Sequence, residues 1–177
     1  MPLKRSEAFI IDVRKLKEAD RLVILFTEEE GKIRAVAPSA ARSLKRFGGR
    51  LERMSQVCAS WYESEARDLA RLEGCDLLEE SFTLHQDLKS AAVISYIAEL
   101  ADTFTHEREV DVRYFRLVRS VMAALRRGVD SFLLARYFEV WTLRLHGLMP
   151  EMENCGTCHK RFGAEGARVS VEAASQA

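Results

Sequence analysis

The sequence predicts an α+β chain of two domains, a five-stranded β-barrel over residues 1–80 followed by an all-α helical domain over residues 81–177. Two observations predict it. Before residue 80 the apolar residues form short runs or alternate with a period of two, between Gly- and Pro-containing turns, as strands require. After residue 80 they recur at spacings of three and four, behind Ser, Thr and Asp residues able to cap helices.

The strands come first. Ser6–Arg14 carries Phe9, Ile11 and Val13 on one parity and Ala8 and Ile10 on the other. Arg21–Thr27, RLVILFT, is an apolar run too short for a typical helix. Thr27-Glu28-Glu29-Glu30-Gly31 reads as a hairpin turn, and Lys32–Ala37 returns as the third strand with Lys32 and Arg34 near its start. Pro38-Ser39 breaks that strand, Ala40–Arg46 forms a short helical turn, and Phe47-Gly48-Gly49 punctuates it. Leu51–Glu63 reads as one long strand, with Met54, Gln56, Cys58, Ser60 and Tyr62 on one side and Val57, Ala59 and Trp61 on the other. Arg67–Leu78 is the fifth. Five strands with a helical insert after the third suit an OB-type barrel, while an SH3-like barrel or a twisted open sheet fits the periodicity nearly as well.

The helices follow. Ser81 or Thr83 caps His85–Phe104; Asp111 caps Val112–Arg127, which Gly128 stops; Asp130 caps Ser131–His146, ended by Gly147 and Pro150. The last helix is apolar on most sides and is expected at the centre of its bundle. The tail Ala164–Ala177 is small and polar and is expected to fray.

The totals bound the chemistry. With 27 basic and 27 acidic residues in 177 the formal net charge is zero, so nucleic-acid binding has to come from a local patch. No apolar run reaches the length of a membrane span, and Ala8–Ile11 is too short for a signal peptide, so a cytoplasmic protein without a membrane partner is expected. The histidines fall in no metal-hydrolase pattern, there is no nucleophile elbow or phosphate-binding P-loop, and no enzyme activity or small-molecule substrate is expected. Cys58 and Cys75 read as small buried apolar residues.

One stretch stands apart. Gly31–Leu51 holds Lys32, Arg34, Arg42, Lys45, Arg46 and Arg50 and no acidic residue. Cations at this density beside Gly48-Gly49 can hold phosphates, or can simply be a solvated loop. Of the aromatics, Phe47 can stack on bases or peg the loop to the barrel, and one of Trp61 and Tyr62 should face the interior. Cys155-Gly156-Thr157-Cys158 can direct two thiolates at one Zn2+ ion, but a structural zinc takes four ligands. Half of a zinc site, a redox pair and an inert surface pair all remain open for it.

Taken together, E-x-D-R-L-V-x-L-F-T-x-x-x-G-K from Glu18 to Lys32, A-R-S-L-K-R-F-G-G from Ala41 to Gly49, and the helical region ending FEVWTLRLHGLMPEMENCGTC resemble the RecO family of bacterial recombination mediators, from about Ser6 to Cys158. The resemblance implies an OB barrel, a helical C-terminal domain and a four-cysteine zinc element. It implies binding of single- and double-stranded DNA, strand annealing, and loading of recombinase with RecR and single-strand-binding protein, in a nucleoid-associated setting. Family members continue to a second C-x-x-C, so the chain is expected to be truncated and its Cys155 and Cys158 to form a half site for Zn2+. The expected DNA contacts are Arg42, Lys45, Arg46 and Arg50, with Lys32 and Arg34 secondary. The alternative is a protein–protein adaptor whose helical domain docks a partner peptide while the barrel binds nothing. A zinc-dependent enzyme is a third reading.

Overall fold

The computed structural model describes residues 2–47, 51–63, 69–155 and 158–163, with the backbone alone at 44 and 45. Its strands are β1 (Leu3–Lys15), β2 (Arg21–Thr27), β3 (Gly31–Ala37), β4 (Gln56–Tyr62) and β5 (Ala70–Glu79), and a short helix α1 (Leu44–Phe47) sits between β3 and β4. The strands close in the order β1-β2-β3-β5-β4. The long β1 makes closure possible, because its first half pairs with β4 and its second half with β2, with a bulge between Ile10 and Asp12. The parallel contact of Ala35 and Val36 with Ala70 and Arg71 completes the ring. This is the OB-type arrangement, strand order and helical insert included.

The apolar runs in β1 and β2 are continuous because both faces of these strands are buried. Ala8, Ile10, Val23 and Leu25 point into the barrel, where they meet Trp61, Leu72 and Phe47. Phe9, Ile11, Ile24 and Phe26 point outward into a second core made with the helices. The Phe115 ring lies 5.3 Å from both Phe9 and Phe26, and Tyr114 lies 5.9 Å from Phe26. Barrel and helices are thus joined by a hydrophobic layer.

Three helices follow a 3-10 turn at Phe82–Gln86: α2 (Leu88–Phe104), α3 (Val112–Arg126) and α4 (Ser131–Leu145). Asp111 and Asp130 cap α3 and α4 as expected, accepting from Tyr114 N and Leu133 N at 2.8 Å. The cap of α2 is instead Asp87, which accepts from Ser90 N at 2.9 Å. Ser81 is buried and ties the two units together, its hydroxyl donating to Arg53 O at 2.7 Å and lying 3.0 Å from Ser55 Oγ.

Other expectations are corrected. The fourth strand starts at Gln56, not Leu51, because Met54 takes a left-handed backbone (φ 63°) and sends its side chain into the helical core. Cys58 is half-buried, not a core residue, and its Sγ accepts from Arg5 Nε at 2.9 Å; Cys75 is buried. The central helix is α3, whose Tyr114, Phe115, Val118, Val121 and Met122 are all inaccessible, whereas α4 leaves Phe132, Leu133, Tyr137 and Trp141 exposed. The expected fraying of the tail concerns 164–177, and the start of the fifth strand concerns 67–69; the tail and residues 67 and 68 lie outside the described residues.

Glycine is required at one joint. Gly31 has φ +68°, and a Cβ there would lie 2.1 Å from the Glu109 carbonyl oxygen in the connector between α2 and α3. The connector lies along the start of β3, with Lys32 N donating to His106 O at 3.4 Å and Arg108 N to Lys32 O at 3.0 Å. Lys32 and Glu107 form a parallel bridge.

Candidate nucleic-acid interface

The helices cover the outer face of β1 and β2, and their connector lies along the start of β3, which leaves the loops at the far end of β2–β3 and the outward residues of β5 more open. The loop part of the basic segment lies at this open end.

Its cations differ in freedom. Lys32 is committed to the fold: Nζ donates to Asp102 O at 2.7 Å and lies 3.1 Å from Asp102 Oδ1, and its side chain is 14% exposed. Arg34, two residues on and on the same side of the strand, reaches Glu107 Oε1 at 3.4 Å with both side chains about half exposed. Among the described residues of the segment Arg42 is the most open, 72% exposed and 3.7 Å from a highly exposed Glu18. Arg46 is partly structural, with Nε donating to Ser43 Oγ at 3.2 Å, Nη2 to Pro38 O at 2.8 Å, and its guanidinium 5.1 Å from the centre of the Phe47 ring. The side chain of Lys45, and Gly48, Gly49 and Arg50 entirely, lie outside the described residues.

Phe47 is buried in the barrel core and is a peg, not a stacking platform. Trp61 faces the interior and Tyr62 the outside, as neighbours on one strand do.

The register brings in basic residues that the sequence alone does not place beside this segment. Lys15 pairs with Arg21, and Arg21 with Ala37. The loop between β1 and β2 rests on the loop after β3: Ala41 N donates to Ala19 O at 3.0 Å, and Ser39 N to Asp20 Oδ1 at 2.8 Å. Lys15 and Lys17, both exposed, and the half-buried Arg21 therefore lie at the same end of the barrel as Arg42 and Arg46. The signal was present as the basic run Arg14-Lys15-Leu16-Lys17, but only strand pairing shows which other loop it joins. Exposed Arg71 on β5 sits across from Val36 and extends the basic side past β3.

Among the described residues no three His, Cys, Asp or Glu side chains converge. His146 is held between main-chain oxygens of Thr142 and Phe104, at 2.8 and 3.2 Å, and lies against the rings of Phe104 and Tyr114.

Cys155 and Cys158 sit on a small hairpin in which Cys155 N donates to Lys160 O at 2.9 Å and His159 N to Cys155 O at 2.8 Å. Both are thiols, the first half-buried and the second exposed. A structural zinc takes four ligands, of which these two thiols would be two; among the described residues no group of three His, Cys, Asp or Glu converges here. No helix among the described residues is long and apolar enough to cross a membrane.

Comparison with known proteins agrees in extent with the fold. The family described as Recombination protein O N terminal matches residues 1–81, and that described as Recombination protein O C terminal matches residues 85–174. The DNA repair protein RecO of Koribacter versatilis is 37% identical over 156 residues, covering 88% of this chain and 64% of that protein. Its counterparts in Geobacter metallireducens and Geobacter sulfurreducens are 30% and 32% identical, over 94% and 93% of this chain and 70% and 67% of theirs. The chain thus spans about two thirds of the length of these relatives.

Proposed function

Because the chain belongs to the RecO family, we propose that it is a DNA repair protein that binds DNA through the basic end and open side of its barrel and performs no bond chemistry there. The observation that carries this reading is the docking of the β1–β2 loop on the loop after β3, which gathers Lys15, Lys17 and Arg21 with Arg42 and Arg46 in a chain of zero net charge. Annealing needs two strands brought together with their phosphate charge neutralised. That calls for cations on an accessible surface, not for a catalytic base. On this reading the phosphate contacts are Lys15, Lys17, Arg21, Arg42 and Arg46, with Lys45 and Arg50 from the same loop. The family further implies binding of both single- and double-stranded DNA, and recombinase loading with RecR and single-strand-binding protein.

A second reading, the adaptor, is favoured by the apolar side that α4 leaves open, where Phe132, Leu133, Tyr137 and Trp141 are exposed. One titration separates the two. Fluorescence anisotropy of a labelled single-stranded oligonucleotide, repeated over a range of salt, should show binding whose logarithm falls linearly with log salt concentration. Arg42→Ala and Lys17→Ala should each flatten the slope by about 0.7, the value for one lost phosphate contact on a single strand. Absent binding, or slopes unmoved by both substitutions, overturns the DNA reading and leaves the adaptor.

A further inference from the structure

The cations of β3 differ from Arg42, whose acidic neighbour Glu18 is on the barrel, in taking their acidic partners from the helical unit. Lys32 holds Asp102, and Arg34 holds Glu107. Two residues apart on one side of a strand, Lys32 and Arg34 have backbones separated by about 7 Å. That is the scale of the step between successive phosphates of an extended single strand. The connector carrying Glu107 is registered against this edge by the bridge from Lys32 to Glu107 and by the close approach of Gly31 to Glu109. The two pairs differ in strength. Lys32 also donates to a main-chain oxygen and is largely covered, whereas Arg34 and Glu107 meet at 3.4 Å in the open, where an ion pair contributes little and exchanges readily.

We propose that Glu107 is a built-in anion that occupies the Arg34 position until an incoming nucleic-acid phosphate replaces it, so that the helical unit sets how strongly the barrel binds. The competitor is fixed to the same fold, so its effective concentration at Arg34 is high and constant, and the site admits a phosphate only when neighbouring contacts on the barrel help to hold the strand. Lys32 stays with Asp102 throughout and serves as the hinge pin that keeps the connector in register. This inference rests on the DNA-binding reading above and adds an internal regulator to it.

The test is a double-mutant cycle read by the same oligonucleotide titration. Glu107→Gln keeps the shape of the connector and removes the charge. It should tighten binding at low salt by about two- to fivefold, the range an exposed ion pair can supply, and steepen the salt slope as Arg34 becomes free to engage a phosphate. In an Arg34→Ala background, Glu107→Gln should change nothing. Equal tightening with and without Arg34 would mean a general loss of negative charge and would overturn the proposal; so would no tightening in either background, provided the wild-type chain binds and Arg42→Ala weakens it. If the wild-type chain does not bind at all, the underlying reading fails first and the proposal with it. Thermal melting of each variant confirms that the fold is kept.

Discussion

Replacing Gly31 by Ala tests how rigidly the helical connector is seated on the barrel. Two costs add at this position. An L side chain at φ +68° costs about 1–2 kcal/mol. The new Cβ would also fall 2.1 Å from the Glu109 oxygen and 2.5 Å from its carbon, so the connector must move. Moving it breaks the hydrogen bonds of Lys32 N with His106 O and of Arg108 N with Lys32 O, each contributing about 0.5–1.5 kcal/mol. The sum is roughly 2–5 kcal/mol. Gly128 provides an internal control. Its φ is +79°, yet nothing lies within 4 Å of a Cβ built there, so Gly128→Ala carries the backbone cost alone. The gain from a less flexible unfolded chain is the same for both substitutions and cancels in the comparison. In urea unfolding the two midpoints should therefore differ by about 0.5–1.5 M, taking an m-value of about 2 kcal/mol/M, with Gly31→Ala the weaker protein. Equal midpoints would show that the connector shifts at no cost, and would refute both the seating and the register that the regulatory proposal needs.

Two further outcomes are expected. Burial pushes the Asp12 carboxyl up, but hydrogen bonds from Arg14 and Arg53 outweigh it and hold the group below the ordinary carboxylate range, so its stabilisation is present above about pH 4 and is lost as pH falls through the lowered value. Asp12→Asn should thus lower the urea midpoint at pH 7, with the gap to wild type closing below about pH 4; a gap independent of pH would refute the ion-pair account. The second concerns the shared core: in a Trp141→Phe background, where Trp61 alone reports on the barrel interior, unfolding by tryptophan fluorescence and by helical circular dichroism should share one midpoint, and Phe26→Ala should move both together by about 3–5 kcal/mol. Separate transitions would mean that the two units stand independently.

Local features were legible in the sequence where a residue type enforces them. The turn at Glu28–Gly31 and the caps Asp111 and Asp130 needed only nearby chemistry and fall where expected. What a face packs against was not legible, because periodicity says that a side is apolar and not what covers it. Phe9 and Phe26 read as strand residues of a barrel, and their partners are on a helix. The reverse holds for α4, whose apolar composition suited a central helix but whose Phe132 and Leu133 stay exposed, with the Lys89 ammonium of α2 6.0 Å from the Phe132 ring. In the basic segment the charges were visible and their availability was not: the partner of Lys32 is 70 residues away, and Lys15 and Lys17 join Arg42 only through the docking of two loops. Met54 escaped because a left-handed methionine carries no signature.

The hydrophobic layer between β1–β2 and α3 also sets an order of events during synthesis. Phe9 and Phe26 emerge from the ribosome first, and Phe115 follows about ninety residues after Phe26. At bacterial or slower rates of elongation that interval is roughly 5–20 s, far longer than a hairpin needs to form. Throughout it the outward side of the nascent hairpin lacks the rings of α3, although Met54 and the apolar side of α2, which share that core, are made before them. The barrel is therefore completed from outside: Phe9 and Phe26 gain their ring contacts only when Tyr114 and Phe115 of α3 arrive.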